Sequence, residues 1–242
     1  MKFYSYYTEN LSSIYEDHKR CCDKLGLNVE YYKDKIYTNY DEVYSAHGNF
    51  MTSVIKNSND EVICFLDIDC LPHHKENIET AYNWTLENQS FVGNAQNISH
   101  TQIRNRLYAA ASFLIITKSA WNALGSPNLS HFNQNQIQVD TAQILTLRAD
   151  EIGMPYQLMY PIGYDEDDYN YCFMNSSKVV THKKSLGSYG NIGTGTLYPA
   201  TYHYFRMSQL KDKIPELWTQ RVNNILNNEK IIPNYSSCFY EL

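Results

Sequence analysis

Apolar positions in the first half of this chain alternate between two spacings. Met1 to Glu9, rich in Phe and Tyr, reads as an opening strand, after which Leu11, Ile14, Tyr15, His18, Cys22 and Leu25 recur on one helical face with Gly26 as the stop. Leu27 to Tyr32 reads as a second strand. Ala46 to Lys56 suits a helix despite Gly48, and the turn Asn57-Ser58-Asn59-Asp60 leads into a strand over Glu61 to Leu66. Val62-Ile63-Cys64-Phe65-Leu66 is apolar without alternation, as a strand buried on both faces must be. Strands alternating with helices predict right-handed crossovers, a largely parallel sheet and an α/β fold.

Further on, Ile78, Ala81, Tyr82 and Leu86 give another helix a core-facing stripe. Asn94 to Thr101 is polar and predicts a loop toward the open end of the sheet. Tyr108 to Ile116 is a second internal apolar run, ending before Lys118. Trp121 to Pro127 reads as a helix end entering a loop that continues through Ser130-His131-Phe132-Asn133-Gln134. Val139-Asp140-Thr141-Ala142 opens a helix toward Ile152, with Gly153 and Pro155 beyond it. The character changes after Val179 to Lys184, where Gly187, Gly190, Gly193 and Gly195 precede Thr196 to Arg206. Leu210, Ile214, Leu217, Val222 and Ile225 form a last amphipathic helix.

The 242 residues suffice for one domain with a sizeable core. With 20 basic against 26 acidic residues, the net charge of -6 gives no reason to expect nucleic-acid binding. A polyphosphate substrate would therefore need a metal or a few placed basic groups. Six cysteines without repeated pair spacing read as reduced thiols of a cytoplasmic protein. No apolar run approaches the roughly 20 residues that span a bilayer.

The chemistry concentrates in Asp67-Ile68-Asp69, placed where the buried strand ends and two residues before Leu71-Pro72. Ligands of open α/β sheets lie beyond the carboxyl ends of the strands, and side chains at i and i+2 of an extended segment share a face. Both carboxylates could thus reach one magnesium or manganese ion that keeps positions for diphosphate oxygens. His182 and His203 compete as a later metal ligand. The amides and aromatics between Trp121 and Gln134 suit a sugar acceptor, although each ring alone also suits the core. Asp140 is the candidate base for an acceptor hydroxyl, with simple capping at a helix start as its plainer role. Asp165 to Asp168 reads as a solvated acid run, and His73, His74 and Lys75 as an exposed helix start. The glycines match neither a dinucleotide fingerprint nor a P-loop.

On Asp67-Ile68-Asp69 and Thr201-Tyr202-His203-Tyr204-Phe205, the chain resembles GT-A glycosyltransferases, particularly small bacterial or viral members. The resemblance implies a Rossmann-like nucleotide-diphospho-sugar transferase fold with a mostly parallel, mixed central sheet flanked by helices. It implies Mn2+ or Mg2+ bridging Asp67 and Asp69 to the donor diphosphate, with His203 ahead of His182 as third ligand. Tyr6, Tyr7 and Thr8 would meet the base or ribose of the nucleotide sugar, Ile68 would lie within the donor-binding motif, and Asp140 would serve as base in an inverting reaction. Residues 1–100 would form mainly the donor half, 101–205 the acceptor half and 206–242 a helical extension. The acceptor would be a glycan or a lipid-linked glycan, as in polysaccharide biosynthesis, with the last helix packing on the domain or touching a membrane surface. A sugar-nucleotide nucleotidyltransferase and a non-catalytic carbohydrate-binding domain are the alternatives.

Overall fold

The computed structural model describes residues 1–96, 107–130, 132–134, 137–165, 195–204, 214–232 and 235–236. In chain order these form β1 (Lys2–Thr8), a 3-10 turn (Glu9–Leu11), α1 (Ser12–Lys24), β2 (Asn28–Asp34), α2 (Tyr40–Asn57), β3 (Val62–Leu66), β4 (Cys70–Pro72) and α3 (Lys75–Asn88). There follow β5 (Phe91–Gln96), β6 (Tyr108–Thr117), α4 (Lys118–Ala123), β7 (Phe132–Gln134), β8 (Ile137–Val139), α5 (Gln143–Ile152) and β9 (Gln157–Met159). The last elements are β10 (Gly163–Tyr164), β11 (Gly195–Leu197), β12 (Thr201–Tyr204), α6 (Glu216–Leu226) and β13 (Tyr235–Ser236).

The central sheet has six strands in the order β2-β1-β3-β6-β5-β9. β1, β2 and β3 run in parallel, β6 runs against both β3 and β5, and β9 is parallel to β5. The sheet is therefore mostly parallel and mixed, with β6 as the reversed strand. The apolar run at Tyr108 did not disclose that reversal, because a strand buried on both faces looks alike in either direction. Its consequence is local: Tyr108, the first residue of β6, pairs with Gln96, the last residue of β5. Asn94 to Gln96 are thus buried strand residues, which corrects the expected loop there; 97–101 lie outside the described residues.

Burial alternates along β3 as extended backbone requires. Ile63 and Phe65 join Tyr4, Met51, Ile55, Leu114 and Trp121 on the face covered by α2, α4 and α5. Val62, Cys64 and Leu66 join Phe3, Cys22, Ile78 and Phe113 on the other, under α1 and α3. Trp121 is in the core, its indole N–H donating to Pro127 C=O at 3.0 Å, so it offers no sugar-stacking face. Lys118 donates to Ser58 C=O at 2.6 Å and fastens the end of α2.

A second, antiparallel sheet has the order β13-β10-β11-β12-β4. It packs with α1 and α6 in a third cluster around Tyr7, Ile14, Leu71, Tyr202 and Trp218. The final helix therefore packs on the domain, burying Trp218, Arg221, Val222 and Ile225. Arg221 reaches Asp165, a buried ion pair that corrects the reading of Asp165 as part of a solvated surface run. Glu166, Asp167 and Asp168 lie outside the described residues. Among the described residues no helix is long and apolar enough to cross a membrane.

Candidate active site

The Asp-Ile-Asp segment is a turn rather than the extended piece expected. Cys70 N–H donates to Asp67 C=O at 3.0 Å, closing Asp67 to Cys70, while Asp67 N–H donates to Ser112 C=O at 3.0 Å. The turn carries the chain from the central sheet into β4 and so joins the two sheets. Ile68 is buried in the third cluster.

β4 pairs with β12 so that His203 lies opposite Cys70, and Tyr204 N–H donates to Asp69 C=O at 2.9 Å. That register brings His203 Nε2 within 3.5 Å of Asp69 Oδ1. A residue more than 130 positions downstream thus meets the acid turn because one short strand leaves the main sheet to pair elsewhere. His182 lies outside the described residues.

Asp67 faces a different partner. His47 Nε2, on α2, is 3.2 Å from Asp67 Oδ1, and its ring stacks on Tyr6 at 5.4 Å between centroids. Burial favours the neutral carboxyl of Asp67, but His47 above all, with His203 and His18, holds it below the ordinary carboxylate range. Burial likewise disfavours the charged His47 ring, yet Asp67 first, then Asp69 and Asp140, raise it above the usual imidazole value. Both directions describe a carboxylate–imidazolium pair.

Asp140 follows the β7–β8 hairpin and precedes α5. Its Oδ1 accepts Thr141 N–H at 2.8 Å and its Oδ2 accepts the Tyr108 hydroxyl at 2.7 Å. The cap of α5 is Ala142, in the left-handed region, so Asp140 secures the turn before the helix rather than capping it. Tyr108 also stands 3.3 Å from Gln96 Oε1, and Gln96 Nε2 is 3.2 Å from His203 Nδ1. A continuous polar line thus runs Asp140, Tyr108, Gln96, His203, Asp69.

The β1 residues divide by face. Tyr6 lies toward His47 and donates to Asp34 Oδ2 at 2.8 Å. Tyr7 stacks on Tyr15 in the third cluster, and Thr8 is buried with its hydroxyl donating to Asn10 at 2.6 Å. Of the three, Tyr6 is the one whose ring borders the acid turn's partner. His73 is pinned to Tyr198 C=O at 2.9 Å and His74 caps α3, so both belong to the helix start. His131 lies outside the described residues, while Phe132, Asn133 and Gln134 form β7. His47, Gln96 and Tyr108 carried no spacing signal in sequence; pairing of β5 with β6 and packing of α2 bring them in.

Two structural features now stand together: a mostly parallel sheet with one reversed internal strand, and an acidic turn at the carboxyl edge leading into a second small sheet. The fold is α/β, with a mixed central sheet flanked by helices. Ligands of open α/β sheets lie beyond the carboxyl ends of the strands, the edge at which Asp67 follows β3 and Gln96 ends β5.

Solved structures similar to this chain include a glycosyltransferase involved in the glycosylation of the major capsid of PBCV-1, at 13% identity and a TM-score of 0.41, covering 70% of this chain and 83% of that one. The galactosyltransferase LgtC in complex with donor and acceptor sugar analogs is 10% identical with a TM-score of 0.47, covering 97% and 98%. An inositol-1-phosphate CTP transferase from T. maritima is 12% identical with a TM-score of 0.35, covering 66% of each chain. At such identities and scores none of them tells which reaction this chain runs. No family model and no curated protein matches it.

Among the described residues no group of three or more His, Cys, Asp and Glu side chains is placed to hold a metal ion. Asp69 and His203 make a two-donor pair, and Asp67 is engaged with His47. The chemistry of the donors suits a divalent ion: carboxylate oxygens and one imidazole nitrogen are ligands that manganese accepts readily.

Proposed function

We propose that the protein is a metal-dependent glycosyltransferase that moves a sugar from a nucleoside-diphosphate sugar to a hydroxyl of a glycan or lipid-linked glycan. The observation that carries this reading is the polar line from Asp140 to Asp69, which links the candidate base to the acid turn through Tyr108, Gln96 and His203.

Asp67, Asp69 and His203 would hold Mn2+ or Mg2+, Asp67 exchanging its pairing with His47 for the ion. When bound, the ion would offset the charge that grows on the departing diphosphate. His47, raised above the usual imidazole value by its carboxylate neighbours, would stand beside the same leaving group as a hydrogen-bond donor. Tyr6 flanks His47 and would border the nucleoside, with Tyr7 and Thr8 supporting β1 beneath it.

Asp140 is the base in this account. Thr141 N–H and the Tyr108 hydroxyl orient the carboxylate, and a carboxylate has further lone pairs to accept the acceptor's proton. Deprotonation from the side opposite the diphosphate makes transfer direct, with inversion at the anomeric carbon. The hairpin of β7 and β8, which delivers Asp140, would form part of the acceptor surface.

The test is a panel of nucleotide sugars with manganese, scored for released nucleoside diphosphate, beside a panel of nucleoside triphosphates with sugar phosphates, scored for pyrophosphate. Nucleoside diphosphate in the first panel alone is the expected result. Pyrophosphate in the second would reassign the chain to nucleotidyl transfer, and carbohydrate binding without either product would make it a binding domain.

A further inference from the structure

Burying a polar side chain is costly unless it is bonded, and β5 ends in two that are buried. Asn94 and Gln96 share a face of the strand and both reach across to β12: Asn94 Nδ2 stands 3.1 Å from Thr201 Oγ1, and Gln96 Nε2 3.2 Å from His203 Nδ1. Thr201 and His203 are likewise two residues apart, so a pair of amides on the central sheet grips a matching pair of side chains on the second sheet. Gln96 belongs to the polar line described above. Asn94 lies one pleat deeper and is fully buried.

Its carboxamide reaches both flanks of the acid turn. On the entry side Nδ2 donates to Ser112 Oγ at 3.3 Å, and the C=O of that same serine accepts the Asp67 N–H at 3.0 Å. On the exit side Nδ2 lies 3.9 Å from Sγ of Cys70, the residue that closes the turn. Thr201, whose hydroxyl stands 3.4 Å from Asn94 Oδ1, pairs with Pro72 at the end of β4. Thus β4, β6 and β12 meet at one side chain of β5.

The backbone bends to put it there. Pairing of β5 with β6 runs from Gly93 with Leu114 directly to Asn94 with Ala110, so the register skips Ala111, Ser112 and Phe113. Bulges re-aim side chains and are common beside functional sites. Gly93 fits the bend because a Cβ there would lie 2.8 Å from Ala109 Cβ and 3.1 Å from Phe113 O. A leucine at 94 has the same branched outline and no polar atom to satisfy, so an amide is a costly way to fill this core.

We propose that Asn94 is a positioning residue that clips the second sheet to the central sheet on both sides of the acid turn, holding the turn in one geometry toward the nucleotide-sugar donor. This role rests on the reading of that turn as the donor site.

The experiment separates holding the turn from holding the fold. Amide hydrogen exchange is followed by nuclear magnetic resonance at Asp67, Cys70 and Tyr204, whose N–H groups fasten the turn, and at Ile63 and Cys64 within β3. Thermal unfolding and nucleoside diphosphate release are measured on the same proteins. Asn94→Leu strands the Ser112 and Thr201 hydroxyls, whereas Asn94→Leu/Ser112→Ala/Thr201→Val replaces all three groups by apolar ones of similar shape, a change that is close to neutral for stability. The triple variant is expected to unfold near the wild-type temperature and to exchange at Ile63 and Cys64 as wild type does. It is nevertheless expected to lose protection at Asp67, Cys70 and Tyr204, and to lose about 100-fold in turnover, the scale set by misplacing reacting groups by about 1 Å. Ser112→Ala, a milder change that cuts only the entry-side link, is expected to loosen Asp67 and leave Tyr204 protected.

A triple variant that regains wild-type turnover along with its stability would overturn the role of Asn94. So would turn amides that stay protected, or a loss of protection shared equally by β3. A wild type that releases nucleoside diphosphate from no donor would instead overturn the donor-site reading and the part of Asn94 in it; selective exchange at the turn amides would still show the clip.

Discussion

His47 Nε2 lies 3.2 Å from Asp67 Oδ1, so the first acid of the Asp-Ile-Asp turn is held by a side chain from α2. The pair ties the helix to the edge of the sheet, and its stability contribution follows from the two shifts. His47 is raised from 6.5, so its share is complete below that value and fades as pH rises through the raised one. Asp67 is lowered from 3.8, so its share is complete above that value and fades as pH falls through the lowered one.

His47→Gln is therefore expected to cost about 1.5–3 kcal/mol near pH 6, the usual worth of a hydrogen bond to a charged group. The difference from wild type should shrink toward alkaline pH. Urea unfolding at several pH values checks this; a difference that grows with pH would contradict the pairing.

Asp140→Asn keeps the size of the side chain and removes the base. Turnover should fall by about 10²- to 10⁴-fold with nucleotide affinity little changed. Tyr108→Phe, which removes one donor to Asp140, should fall less. Equal turnover in Asp140→Asn and wild type would remove Asp140 from the chemistry.

Gly48→Ala tests how α2 is seated. A Cβ at Gly48 would lie 2.2 Å from Ser130 Cα and 2.4 Å from Leu129 O, both backbone atoms that cannot move aside cheaply. Alanine gains about 1 kcal/mol of helix propensity over glycine, while overpacking costs about 1–3 kcal/mol or more. The clash should win, lowering the melting temperature by about 2–4 °C for each net kcal/mol lost. A higher melting temperature would show that the loop over α2 yields.

Asp165→Asn breaks the pair with Arg221, whose side chains are 1% and 5% exposed. The orphaned guanidinium should cost about 3–5 kcal/mol, whereas the double variant Asp165→Leu/Arg221→Met should recover much of the loss because burying both charges is itself costly. Thermal unfolding of the three proteins decides, and a double variant no better than the single would mean the pair also organises α6.

How much of this was legible in sequence depended on whether the information was local. β3 was readable because five consecutive apolar residues cannot serve an exposed strand, and α1 because its face and Gly26 are both local signals. α2 runs from Tyr40, earlier than its apolar stripe suggested, since its first turn is polar. β5 was missed because Asn94 and Gln96 look like loop residues; their amides are satisfied by Ser112, Thr201 and His203, partners far along the chain. Asp165 misled for the same reason, its counter-charge being 56 residues away. Asp67 and Asp69 stood out because an acid pair after a buried strand is rare in context. The partners of that pair, His47 and His203, come from a helix face and from the register of β12 on β4, which no local pattern encodes.

The central claim is that the acid turn serves a cation and a nucleoside-diphosphate sugar. Its most direct measurement is nucleoside diphosphate release from the best donor as manganese is titrated, in wild type and in Asp69→Asn. The account predicts release that requires manganese in wild type and is lost in the variant, with both proteins folded. Release that proceeds equally in a chelator, or equally in Asp69→Asn, would contradict it.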